Sequence, residues 1–184
     1  MSTNILDTLR CNEIPPNNII TIHIGTFNEF GGKLDIDKDT YNTLMNTIHK
    51  KQHYSSKKYS IKKYFFRNMV ISLRYNNNSV KTMHERIHQT YSKLFDKYCI
   101  TASQVKQIDK DSIPIVNKYH KIEEQTITSY TYNKNNVEPI EVLFIEEGNI
   151  HKIKIQYISP NSHNKSEKSS KVSKILNLIL SSFG

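Results

Sequence analysis

The stretch Pro139–Ile158, PIEVLFIEEGNIHKIKIQYI, holds two apolar runs parted by Glu147-Gly148-Asn149. Glycine and asparagine accept the backbone angles of a tight reversal, so the stretch predicts strands over Pro139–Glu146 and Ile150–Ile158 joined as a hairpin. Upstream, Gln125–Tyr132 and the region around Ile113–Tyr119 also read as strand. Near the start, Ile20, Ile22 and Ile24 alternate with Thr21 and His23, which predicts a strand half-buried on one face within Asn18–Phe27. Gly31-Gly32 breaks the chain before Asp37, a helix N-cap followed by Tyr41, Leu44, Met45 and Ile48 at helical spacing. A second amphipathic stripe, Val172, Ile175, Leu176, Ile179 and Phe183, predicts a closing helix that Gly184 would stop.

The middle of the chain reads differently. Lys50–Lys63 is rich in Lys, Ser and Tyr and predicts an exposed connector. Tyr64–Tyr75 predicts a strand or a hairpin turning near Asn68, and Asn76-Asn77-Asn78 a turn. Ser79 is an N-cap candidate for a helix over Val80–Tyr98, whose stripe is Val80, Met83, Ile87, Tyr91, Leu94 and Tyr98. The sum is an α+β fold, a mainly antiparallel sheet with two or three amphipathic helices. An N-terminal extension (1–17), a single domain (18–158), a polar linker (159–170) and a C-terminal helix (171–184) follow from these boundaries.

Composition narrows the function classes. At 184 residues the chain is long enough for one domain with a proper core, and its 11 Tyr and 7 Phe supply mass to an apolar fraction of only 36%. No apolar run reaches membrane-spanning length, no signal peptide is legible, and Cys11 and Cys99 lack the spacing of a disulfide framework or metal knuckle. These features predict an intracellular protein (cytoplasm, viral factory or virion) with no membrane partner. The net charge of +9 is concentrated: residues 47–121 carry 16 basic and 4 acidic groups. Such a block suits a polyanion. Of the 26 basic residues only Arg10, Arg67, Arg74 and Arg86 are Arg, and the abundance of Lys, Asn, Ile and Tyr matches an AT-rich genome whatever the function.

Two constellations carry candidate chemistry. His84-Glu85-Arg86-Ile87-His88 fits H-E-x-x-H, which on a helix sets two imidazoles one turn apart to bind zinc beside a glutamate base. Glu85 would be catalytic and His84 and His88 ligands, with His120, Glu123 or Glu124 as the third. Arg86 between the histidines and the lack of a second ligand motif count against it. Lys57–Tyr75 interleaves Lys57, Lys58, Lys62, Lys63, Arg67 and Arg74 with Tyr64 and Phe66, and aromatics beside cations are what single-stranded nucleic acid binds. Glu123-Glu124 and Glu146-Glu147 are adjacent pairs, and neighbours on a strand point to opposite faces, so neither makes a dyad.

Ile19–Ile48, IITIHIGTFNEFGGKLDIDKDTYNTLMNTI, resembles the opening of the tunnel-type RNA triphosphatases of large DNA virus capping enzymes. Ile24-Gly25-Thr26-Phe27 and Ile36-Asp37-Lys38-Asp39-Thr40-Tyr41 stand where the family has its turn and helix start, and the C-terminal hairpin and helix share its layout. The resemblance implies a strand-rich middle and metal-binding glutamates alternating on the first and last strands. The first strand here offers Thr21, His23 and Gly25, the last Lys152, Lys154 and Gln156, so those glutamates are missing.

From sequence, the leading expectation is therefore a non-catalytic, basic RNA- or DNA-binding protein, or a subunit of a viral nucleic-acid-handling assembly. It needs no cofactor and leans against an enzyme. The alternatives are a zinc-dependent hydrolase at the His84–His88 motif and a structural or assembly subunit. In the last, the C-terminal helix would dock into a protein partner or a second copy.

Overall fold

The computed structural model describes residues 5–10, 14–25, 36–66, 69–76, 79–107, 121–132, 139–160 and 165–183. For 66, 69–71, 73, 76, 79–90, 105–107 and 121–122 it describes the backbone alone. The predicted strand at Ile113–Tyr119, Gly31-Gly32 and Gly184 lie outside the described residues.

Strand β1 (Ile19–Ile24) is followed by β2 (Tyr54–Phe66), β3 (Met69–Asn76), β4 (Ser79–Leu94), β5 (Tyr98–Gln107), β6 (Lys121–Tyr132), β7 (Ile140–Glu147) and β8 (Ile150–Ile158). They close into one barrel in the order β1-β5-β4-β3-β2-β6-β7-β8, every pair antiparallel. Helices α1 (Ile5–Leu9), α2 (Lys38–His49) and α3 (Lys165–Leu180) complete the described elements. The expected antiparallel α+β class is what the structure has, with the sheet dominant.

Side-chain alternation gives the barrel its two surfaces. On β1, Ile20, Ile22 and Ile24 are at most 1% exposed and join Tyr41, Leu44 and Ile48 of α2, Leu9 of α1, and Val172, Leu176 and Ile179 of α3 in one core. That core lies between the outer barrel wall and the helices. Register fixes the other surface: Thr21 stands between Thr101 and Gln156, and His23 between Cys99 and Lys154, so the opposite face is polar and turned to the lumen. Asp37 caps α2 as expected, its Oδ1 accepting from Thr40 N–H at 2.8 Å.

Three expectations fail. Lys50–Lys63 is no connector, since Tyr54–Phe66 forms β2, paired along its length with β6 and β3. Its lack of apolar alternation misled, because one face lines a polar lumen and the other meets solvent. Val80–Tyr98 is no helix: Ser79–Leu94 is β4 and Tyr98 begins β5. β4 pairs with β3 over Ser79–Glu85 and with β5 over Glu85–Leu94, and a register shift between Gln89 and Tyr91 breaks the strand's period of two, leaving spacings that mimic a helix. The polar linker expected over 159–170 is shorter than that, as α3 begins at Lys165.

Candidate functional site

The lumen is the candidate site, and strand alternation builds it. On β8, Ile153, Ile155 and Tyr157 turn outward into the core, so Lys152, Lys154 and Gln156 turn inward. Following the ladder, Lys154 lies beside Leu143 of β7, which lies beside Ser129 of β6, which lies beside Lys57 of β2. By the same register Tyr59, Ile61 and Lys63 of β2, Arg74 of β3, Glu123 and Gln125 of β6, and Glu141 and Glu147 of β7 share this face.

The electrostatics of Lys154 agrees with this register. The Lys154 ammonium is pulled down to about 8, first by desolvation, then by Lys63 and Lys152, with Glu123 and Glu147 opposing. Lys63 is three strands away from Lys154 around the barrel, so the two reach each other through the lumen. Glu147 Oε2 accepts from Lys152 Nζ at 3.0 Å and from Gln125 Nε2 at 3.1 Å. Farther along, Arg74 stacks 3.7 Å from the Tyr59 ring centre, and Ile127, Leu143 and Ile145 pack with Tyr59 and Ile61. Burial raises the Tyr59 phenol, Arg74 acts against that, and Glu141 adds to it. The β1 wall carries hydrogen-bonding groups: His23 Nε2 lies 3.2 Å from Thr101 Oγ1, and Gln156 Nε2 donates to Thr21 Oγ1 at 3.4 Å. Desolvation at Lys154 marks an interior in which charges act on one another more strongly than at an open surface.

The residues expected to bind nucleic acid are divided by the same alternation. Lys57, Lys63 and Arg74 take the lumen face, whereas Lys58, Lys62 and Tyr64 take the outer one. Lys62 is held at 3.3 Å by Glu124, beside a groove of about 550 Å³ that also includes Tyr75 and Glu146. The charges in that groove do not favour an anion. Phe66 is described by its backbone alone and Arg67 lies outside the described residues. Among the described residues, the expected set is therefore divided between the two faces of the barrel wall. Glu123 and Glu124 part to opposite faces, as alternation requires.

The zinc geometry fails with the helix. Four residues along a helix advance roughly 6 Å, whereas along a strand they advance roughly 13 Å. His84 and His88 are four residues apart on β4, opposite Ile71 and Gln104 respectively, and no turn of helix brings them together. Among the described residues no three His, Cys, Asp or Glu side chains group as a metal would need; His120 lies outside these residues.

An eight-stranded closed antiparallel barrel with a charged lumen and helices packed on one outer wall is a distinctive architecture. The structure of the mimivirus capping enzyme triphosphatase superposes with a TM-score of 0.59 at 11% identity, over 96% of this chain and 95% of that one. The chain has the tunnel fold of the RNA triphosphatases. The S. pombe Pct1 RNA triphosphatase, solved in complex with the Spt5 CTD, matches with a TM-score of 0.60 at 11% identity, over 97% and 86% of the two chains. No protein-family sequence model matches the chain, and no curated protein matches it by sequence.

The tunnel fold corrects the leading expectation from sequence. A non-catalytic nucleic-acid-binding protein, and the leaning against an enzyme, give way because these two solved structures, which share the fold over nearly the whole chain, are both triphosphatases. The assembly-subunit alternative loses its motive, since Val172, Leu176 and Ile179 of α3 are 0% exposed within this chain's own core. No described helix is long and apolar enough to cross a membrane. The resemblance noted at Ile19–Ile48 extends to the whole barrel, strand-rich middle included. The missing glutamates stay missing: the lumen positions of β1 and β8 are Thr21, His23, Lys152, Lys154 and Gln156. A divalent cation held by those two strands does not fit these side chains.

Sequence reasoning missed Lys152, Lys154, Glu141 and Glu147 as site residues. The signal was present in HKIKIQY, where lysines alternate with isoleucines on a strand next to an equally apolar one. Such a strand buries its apolar face against helices and sends its charges into an enclosed space.

Proposed function

We propose that the chain is a phosphohydrolase that draws a linear triphosphate into the barrel lumen and releases its terminal phosphate. Triphosphate-ended RNA is the substrate suggested by the proteins that share the fold. The observation that carries this reading is the placement of Lys63, Lys152 and Lys154 on the inner face of one closed barrel.

The reaction adds water to the terminal phosphorus and breaks its bond to the bridging oxygen, giving orthophosphate and a diphosphate end. Charge spreads over the phosphoryl oxygens in the transition state, so catalysis is mostly positioning and electrostatic stabilisation. Lys154 and Lys63 would bear that charge from two sides of the lumen. Glu123, on the same side as Lys63 and near Lys154, would orient the water. Ile127, Leu143 and Ile145 would keep bulk water out of this part of the tunnel.

The test is phosphate release by the full chain from 5′-triphosphate RNA, ATP and inorganic tripolyphosphate. Release from at least one, reduced tenfold or more by Lys63→Met, is the expected result. Protein that melts cooperatively yet frees no phosphate from any of the three over hours, with or without Mg²⁺ or Mn²⁺, contradicts the proposal.

A further inference from the structure

We infer that the lumen holds its triphosphate directly on lysine side chains, with no divalent cation as intermediary. This rests on the triphosphate reading above and concerns what neutralises the phosphates once they are inside.

The donor set argues for it. Lumen positions that would have to supply carboxylates on the first and last strands carry Thr21 and His23 on one and Lys152, Lys154 and Gln156 on the other. Among the described residues no three His, Cys, Asp or Glu side chains group as a metal would need. Glu141 and Glu147 are six residues apart on β7, roughly 20 Å along a strand. Glu147 already accepts from Lys152 and Gln125. Glu123 stands near the Lys154 ammonium, which it stabilises.

Coulomb's law then decides between the two possible guests. Lys154 is already repelled by Lys63 and Lys152, and a divalent cation brought among them would add to that repulsion in a poorly screened interior. A polyanion is attracted by each of the three ammoniums, which outnumber the two carboxylates, Glu123 and Glu147, that act on Lys154. Lysine is a compact charge with rotatable donors, which serves phosphate oxygens without bidentate geometry. One ammonium on β8 and one on β2, three strands round the barrel, both face the interior, so an extended triphosphate between them would meet positive charge from each.

The experiment is calorimetric titration of the full chain with inorganic tripolyphosphate, first in EDTA and then with Mg²⁺ or Mn²⁺ in place of EDTA. Saturable binding in EDTA is expected. Binding should weaken at least tenfold in Lys154→Met and in Lys63→Met and stay unchanged in the outer-face Lys58→Met, with melting curves checking that each variant is folded. Binding seen only with a divalent cation, or binding indifferent to Lys154→Met and Lys63→Met, overturns the inference. In the first of those cases the triphosphate reading survives. No binding under either condition, in protein that melts cooperatively, overturns both.

Discussion

Lys154 is where the chemistry of the lumen can be read most directly. Its ammonium is depressed from 10.5 to about 8 by desolvation and by Lys63 and Lys152, with Glu123 and Glu147 offsetting part of the effect and His23 beside it on β1. Between those two values the unfolded chain holds a proton that the folded chain has released. Raising the pH from about 8 therefore increases stability through this group. The buried tyrosines act the other way at higher pH: Tyr54, pushed up to about 12 by burial, ionises more easily when unfolded. The Lys154 contribution is thus isolated by subtracting the melts of Lys154→Met from those of the native chain between pH 7.5 and 9.5. The native protein should gain stability relative to the variant across this window. Affinity for tripolyphosphate should fall across the same window, and parallel pH profiles for the two proteins would contradict this placement of Lys154.

At the scale of elements, the two faces of one strand should behave differently. Ile22 is 0% exposed between Ile100 and Ile155 and packs against the helix layer, so Ile22→Ala should cost about 2–5 kcal/mol in urea unfolding. Thr21 next to it faces the lumen and meets Gln156 through one long hydrogen bond of 3.4 Å, so Thr21→Ala should cost under about 1 kcal/mol. Equal losses at both positions would argue against a polar lumen. The β4 assignment makes a separate prediction: replacing His84 and His88 together by Ala should leave the metal content of the purified protein unchanged, and loss of stoichiometric zinc would restore the helix-motif reading. Elements with a one-sided environment were legible in sequence. The helix at Asp37 was legible from its cap and stripe, β7–β8 from its glycine turn, and β1 from its isoleucines. The long strands β2 and β4 were not, because their order comes from partners distant in the chain: Lys57 pairs with Ser129, and Arg86 with Lys106. Local periodicity carries no record of such pairing, and it gave a loop and a helix in their place.

For the whole molecule, closure is what converts a basic sequence into a site. A flat sheet bearing Lys57–Lys63 would show its charges to solvent on both sides, and in the barrel one of the two sides is enclosed. The excess of cations over residues 47–121 was legible, and so was the absence of carboxylates at Lys152, Lys154 and Gln156. That these features belong to one enclosed space was not, since it depends on the β8-to-β1 ladder that shuts the barrel. Partial shielding of the lumen also sets an expectation for salt. Tripolyphosphate binding should weaken with ionic strength less steeply than binding at a set of exposed lysines would, and calorimetry from 50 to 300 mM NaCl measures the slope.

The most direct test of the central claim is a crystal structure of the chain grown with inorganic tripolyphosphate. Electron density for the anion inside the barrel, within hydrogen-bonding reach of Lys63 and Lys154, is the expected result. Density only on the outer wall near Lys58 and Lys62, or an empty lumen at a concentration that saturates binding in solution, would contradict it.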